Sequence, residues 1–191
     1  MTTNIVLLGG SGYIGRQLVQ AWRQRNTDTE FWILSRSGDS GLALAGVHGL
    51  AVDLTQSQLG NVTLPAQVDY IVDLVGGPLA DSQEMAKFNR VPAQLMMALA
   101  EKYQPRAMGF IGGKLGPKPF VRLKREIIKE LQTASTPLAV VEPTLVYGAG
   151  RHDQMTRYVP LLRVIGAVVP QVRPVKVDRV VASLLTELMA K

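Results

Sequence analysis

Four glycines fall within seven residues, Gly9, Gly10, Gly12 and Gly15, between an apolar run and a stretch of helical periodicity (NIVLLGGSGYIGRQLVQAW). Glycine loses more backbone freedom on folding than any other residue, so such a cluster marks a backbone path that side chains would obstruct. Asn4 to Leu8 is continuously apolar apart from its first residue, which predicts a strand covered on both faces. Tyr13, Ile14, Leu18, Val19 and Trp22 recur at helical spacing and predict a helix from about Ser11 to Arg25. Two glycine spacings overlap in the turn between them, Gly9-x-x-Gly12-x-x-Gly15 and Gly10-x-Gly12-x-x-Gly15. In a strand-to-helix turn, one glycine makes the reversal, another admits a pyrophosphate, and the last lets the helix close on the strand. Free N–H groups and the helix dipole then favour the phosphate. Gly9, Gly10, Ser11, Gly12, Tyr13, Ile14 and Gly15 are therefore expected to bind a dinucleotide, with the Ser11 hydroxyl on a phosphate rather than acting as a nucleophile.

Further strands are predicted at Phe31–Leu34, His48–Val52, Tyr70–Val75, Ala107–Ile111, Leu138–Val141 and Val175–Val177. Helices are predicted at Val91–Tyr103, Phe120–Gln132 and Asp178–Met189, the last with Asp178 as N-cap. Strands that alternate with helices, and are apolar rather than alternating, imply an α/β fold: a Rossmann-like, doubly wound parallel sheet. A length of 191 residues fits a single domain, 1–191. Residues 148–174 are the least regular and are expected to cap the cofactor cleft.

Hydrophobic residues make up 47% and charged residues 19%, too apolar for disorder. No apolar stretch approaches the roughly 18 residues that span a bilayer. The N-terminus runs into a strand without the pattern of a secretory signal, so the expected location is the cytoplasm. The absence of cysteine removes disulfides, thiolate metal sites and cysteine nucleophiles. Two histidines without a neighbouring carboxylate pattern give no metal site. The formal charge of +6 favours an anionic partner. The one dense basic run, Lys118 to Lys129, has the spacing of a solvated helix face and no accompanying nucleic-acid motif, so nucleic acid is disfavoured against a phosphate-bearing small ligand.

At the end of the second predicted strand, where a carboxylate would hold an adenosine ribose, the chain reads Ser35-Arg36-Ser37. Arginine flanked by hydroxyls suits a 2′-phosphate, which favours NADP over NAD.

Taken together, these residues resemble the short-chain dehydrogenase/reductase superfamily, in its extended and atypical branches of NAD(P)-dependent epimerase/dehydratase-like and NmrA-like proteins. Asp53-Leu54 is similar to the family's acidic position beside the adenine, and Val75-Gly76-Gly77 to its small-residue turn along the cofactor. Asn89 resembles the asparagine that opens the following helix. Pro143-Thr144-Leu145-Val146-Tyr147-Gly148 resembles the family's proline-to-VYG segment, and Val177-Asp178-Arg179-Val180 its late V-D-x-V stretch. The resemblance implies that Asp53, Leu54, Val75, Gly76, Gly77, Asn89, Pro143 and Thr144 line the dinucleotide.

The resemblance also implies a serine or threonine after the fifth strand and a Y-x-x-x-K pair on the next helix. Here the strand ends Ile111-Gly112-Gly113-Lys114, and the helix reads Phe120-Val121-Arg122-Leu123-Lys124. Phenylalanine stands where the proton-transferring tyrosine would be, and Lys124 aligns with the lysine that holds the ribose. Acid/base chemistry needs a titratable group within hydrogen-bond reach of the reacting atom. Lys124, Lys114, Tyr147 and His152 are the candidates. Three readings stay open: a substitute proton donor, hydride transfer to a small or flavin-like acceptor, or a regulatory or assembly protein that binds dinucleotide without turnover. The substrate is an unidentified small molecule, and an oligomer is compatible with the sequence. His48 and the Met85, Met96 and Met97 group are expected to be structural.

Overall fold

In the computed structural model, residues 2–56, 59–150 and 173–191 are described. Among the described residues the elements follow in the order β1 (Thr3–Leu8), α1 (Tyr13–Arg25), β2 (Thr29–Ser35), β3 (Val47–Ala51), β4 (Tyr70–Asp73), α2 (Ser82–Tyr103), β5 (Ala107–Ile111), α3 (Lys118–Leu131), β6 (Leu138–Val141), β7 (Val146–Tyr147), β8 (Val175–Lys176) and α4 (Val177–Met189). Six parallel strands form one sheet in the order β3-β2-β1-β4-β5-β6. This is the Rossmann-like doubly wound arrangement, with its reversal of direction between β1 and β4. Parallel β7 and β8 pair separately, Val146 opposite Val175.

Alternate residues of the strands feed two cores. Ile5, Leu7, Phe31, Ile33 and Val72 pack with Leu18, Trp22, Val181 and Leu184 of α1 and α4. Val6, Leu8, Leu34, Ile71 and Phe110 pack with Leu95, Met96, Leu123 and Ile127 of α2 and α3. Because each inner strand is buried on both faces, its sequence reads as a continuous apolar run. The Met85 and Met96 side chains are buried, with Met97 packed against the same core.

Three local expectations need correction. Helix α2 begins at Ser82 rather than Val91, because the Asp81 side chain accepts the Glu84 N–H at 2.8 Å and caps it there. Pro92 lies inside the helix. Asn89 consequently sits in the interior of α2 instead of opening it. Asp178 lies in the first turn of α4, and Lys176 occupies the N-cap position without a side-chain cap. Residues 151–172, and with them His152 and most of the expected capping segment, lie outside the described residues.

Candidate dinucleotide site and its buried polar clasp

The loop from β1 to α1 is shaped by backbone contacts. Gly9 has φ +73°, and a Cβ there would lie 2.7 Å from Val75 Cγ2. A Cβ on Gly15 would lie 2.2 Å from the Gly10 carbonyl oxygen, so α1 can approach the turn only with glycine at that position. Gly12 is the N-cap of α1 and offers no side-chain cap, and the first turn carries no acidic residue. A helix start without a side-chain cap or an acidic residue suits an external anionic acceptor. At Gly12 itself a Cβ would touch, among the described residues, the Gly9 carbonyl oxygen at 3.1 Å and nothing else. A dinucleotide's pyrophosphate fits this cradle. The Tyr13 hydroxyl donates to the Gly148 carbonyl at 2.8 Å, joining the start of α1 to the segment after β7. Ile14 is half-buried against the α1/α4 core.

At the end of β2, Ser35 is 7% exposed, and its hydroxyl donates to the Asp39 carbonyl at 3.1 Å. Arg36 and Ser37 are exposed, and the Ser37 hydroxyl accepts the Asp39 N–H. Asp53 follows β3 and accepts from the Thr55 N–H at 3.0 Å and the Thr55 hydroxyl at 2.7 Å. These bonds hold its carboxyl below the usual carboxylate range, the Thr55 backbone bond contributing most. Leu54 beside it is buried.

The turn after β4 is gripped from below by three buried polar side chains. Asp73, fully buried at the end of β4, accepts the Val75 N–H at 2.9 Å through Oδ1. Lys124, 3% exposed on the core side of α3, brings its Nζ 3.4 Å from the Val75 carbonyl and 4.4 Å from the centroid of Phe110. Asn89, also fully buried, accepts the Gly77 N–H at 3.1 Å and donates to the Gly77 carbonyl at 2.9 Å and to the Met85 carbonyl at 2.8 Å. A Cβ on Gly76 would come within 2.3 Å of Asn89 Oδ1 and 2.8 Å of Lys124 Nζ. The amide and the ammonium therefore sit directly beneath that residue. Burial raises the Asp73 pKa to about 7 against the opposing pull of Lys124. Burial likewise lowers Lys124 to about 8 against the pull of Asp73. Each group suffers from desolvation and is partly relieved by the other. Asp73 Oδ2 has no hydrogen-bond partner among the described residues.

Asp73 is the site residue that the sequence reading missed. Its signal was present: a carboxylate within YIVDLV, a run otherwise fit for a fully buried strand, demands a nearby cation or a proton. The matching signal is Lys124, which occupies a core position in the stripe Phe120, Leu123, Lys124, Ile127, Leu131.

Phe120 is 7% exposed and belongs to the α2/α3 core, its ring 3.1 Å from the position of a Cβ on Gly113. Gly112 and Gly113 are buried beneath the loop that follows β5. Lys114 N–H donates to the Pro143 carbonyl at 2.9 Å, tying the ends of β5 and β6 together. Pro143 is buried, and the Thr144 hydroxyl donates to the Arg173 carbonyl at 2.5 Å. His48, on the far edge strand, stacks on Trp32 with ring centroids 4.4 Å apart and bonds Glu30 at 2.5 Å, remote from these residues.

Solved structures of low sequence identity share this architecture. A tyrosine-to-phenylalanine variant of ElxO with NADPH bound superposes with a TM-score of 0.75 at 16% identity, covering 98% of this chain and 92% of that one. The Bordetella bronchiseptica enzyme WbmH in complex with NAD+ gives 0.74 at 11% identity, covering 99% and 73%. The PhqB reductase domain from Penicillium fellutanum gives 0.74 at 16% identity, covering 99% and 65%. Among curated proteins, none matches the sequence. A family model does match residues 5–115, which carry the glycine turn, the β4 turn and Asn89, and on that match the chain belongs to the NAD dependent epimerase/dehydratase family.

Proposed function

We propose that the protein binds NADP(H) across the C-terminal ends of β1, β2 and β4, and exchanges hydride with a small acceptor that draws no proton from a tyrosine. The observation that carries the binding is the tight glycine turn at the start of α1, where Gly9 and Gly15 leave no space for a Cβ and Gly12 offers no side-chain cap. Gly9, Gly10, Ser11 and Gly12 would take the pyrophosphate, with Tyr13, Ile14 and Gly15 setting the approach of α1. Ser35, Arg36 and Ser37 would meet the 2′-phosphate, and Asp53 and Leu54 the adenine. Val75, Gly76 and Gly77 would run along the cofactor, with Pro143 and Thr144 at its nicotinamide end. The family to which the chain belongs and the NAD+- and NADPH-bound neighbours support a nicotinamide dinucleotide. The exposed Arg36 at the end of β2, with no carboxylate in Ser35-Arg36-Ser37, supports the phosphorylated form.

The dinucleotide, when bound, supplies hydride. What the chain's own residues supply is position. Lys124 and Asp73 clamp opposite ends of Val75, and Asn89 fixes Gly77, so the wall facing the dinucleotide is held rigid by buried bonds. Lys124 thereby acts on the cofactor through the turn. Phe120 has no proton to give and lies in the core, and the neighbouring Gly112-Gly113 has no hydroxyl. Acceptors that take hydride with little proton chemistry from the protein, flavin-like rings above all, suit such a site.

Phenylalanine at 120 and glycine at 112 and 113 also favour a second reading, a regulatory or assembly protein that holds the dinucleotide without turnover. Anaerobic incubation of the protein and NADPH with flavins, quinones and aldehydes separates the two. Loss of nicotinamide absorbance with flavins or quinones but not with aldehydes supports the first reading. Tight binding without oxidation by any of them supports the second. Absence of NADPH binding overturns both.

A further inference from the structure

Beyond the dinucleotide cradle, a second cleft opens at the C-terminal ends of β5 and β6. Among the described residues five cationic side chains line it: Lys114 after β5, Arg125 on α3, Arg173 just before β8, Lys176 in β8, and Arg179 in the first turn of α4. All five are exposed, and among the described residues none of them is in an ion pair. Glu142 and Asp178 also face the cleft, which leaves a surplus of three positive charges. Elsewhere on α3, by contrast, Arg122 pairs with Glu126, and Arg90 bridges from α2 to Glu126 and Glu130.

Three chain segments, the loop after β5, α3 and the stretch from Arg173 to Arg179, bring these cations to one concavity, so the clustering is not a by-product of a single charged helix face. Like charges gathered over low-dielectric walls repel one another, and the concavity focuses their field on whatever enters it. An anion with two or more negative charges relieves that repulsion, and arginine and lysine together suit phosphate or carboxylate oxygens. The position also fits. In open α/β sheets, ligands bind outside the carboxyl ends of the strands, and this cleft lies past β4 on the side away from β1 and β2. A dinucleotide laid over β2, β1 and β4 leaves the ends of β5 and β6 for its reaction partner.

We infer that this cleft binds a small multiply anionic compound, carrying phosphate or more than one carboxylate, as the partner of the dinucleotide. The inference rests on the proposed dinucleotide reading for the partner's role, while the anion site itself can be measured without it. Pyrophosphate serves as the probe in a calorimetric titration of four proteins. These are the wild type, Gly12→Val in the glycine turn, Arg125→Ala/Lys176→Ala in the cleft, and Lys118→Ala/Lys129→Ala. The last pair removes the same charge from the outer face of α3, outside the cleft.

The expected result is binding by the wild type, retained in Gly12→Val and in Lys118→Ala/Lys129→Ala, and weakened at least tenfold in Arg125→Ala/Lys176→Ala. Loss in Gly12→Val with retention in the cleft variant places the anion on the glycine turn and overturns the inference. Equal weakening in the two double variants reduces the effect to the general field of the protein and also overturns it. So does a wild type that binds no pyrophosphate. Because none of the four titrations contains NADPH, failure of the dinucleotide reading is registered separately, by the NADPH titration alone.

Discussion

The two halves of the sheet treat their loops differently. Over β1 and β4 the chain keeps what a dinucleotide requires, and it does so chiefly with backbone: glycines at 9, 12 and 15 and a turn at 75–77 held from beneath. Over β5 and β6 the positions that resemble a catalytic set have become packing. Phe120 fills the core, Gly112 and Gly113 are buried without a hydroxyl, and the surface beyond them is a basic cleft. Binding and chemistry are thus separable in this fold. Lys124 marks the boundary, since it stays at its aligned position but is drawn under the turn, where Asp73 supplies the opposing charge.

The largest effect should come from breaking the first half. Gly15→Val places a side chain against the Gly10 backbone, and should cost about 3 kcal/mol or more in denaturant unfolding. A cost below about 1 kcal/mol would mean that α1 does not press on the turn as described.

Next comes the buried clasp. Lys124→Met leaves Asp73 without its cation and should destabilise the protein by about 2 to 4 kcal/mol at pH 8, with adding Asp73→Asn restoring a good part of that. The pH dependence has a definite sign. Asp73 is raised from its ordinary value to about 7, so the folded state holds its proton longer than the unfolded chain, and stability from this group falls as pH rises from about 4 to about 7. Lys124 is lowered to about 8, so the folded state releases its proton first, and stability recovers from about pH 8 to 10.5. Both trends should vanish in Asp73→Asn/Lys124→Met, as read from unfolding midpoints across that range.

Gly12→Val would bring its Cβ 3.1 Å from the Gly9 carbonyl oxygen, a contact that a shift of a few tenths of an ångström relieves, and should fold. It should nevertheless weaken NADPH by about 100-fold or more, roughly 2.7 kcal/mol, since the side chain would occupy the phosphate's place. Arg36→Ala should act more gently, weakening NADPH about tenfold while leaving NADH nearly unchanged. Equal losses for both cofactors would remove the 2′-phosphate from Arg36.

The sequence was most informative where backbone geometry dictates residue type. The glycine spacing between an apolar strand and an amphipathic helix located the cradle, and the apolar runs located all six strands of the main sheet. It was least informative where a polar residue's partner is distant in the chain. Asp73 and Lys124 are 51 positions apart, and nothing local says that β4 and α3 bring them to either end of Val75. The start of α2 at Ser82 was not legible, because the Asp81 cap is a side-chain contact that propensity alone does not weigh. The two-residue strand β7 is too short to leave a periodic pattern, and its pairing with β8, expected as a strand, depends on a contact between distant segments.

The central claim is that the Lys124 ammonium holds the Val75 turn from beneath and does not itself reach the dinucleotide. Calorimetric titration of NADPH into the wild type and into Asp73→Asn/Lys124→Met tests it directly. In the double variant an asparagine can still accept the Val75 N–H, and methionine fills the space of the lysine stem, so the turn should persist. The account predicts NADPH affinity within about threefold of the wild type, a difference of roughly 0.7 kcal/mol or less. A loss of about thirtyfold or more in a variant that remains folded would show that the ammonium itself reaches the cofactor, and would contradict the account.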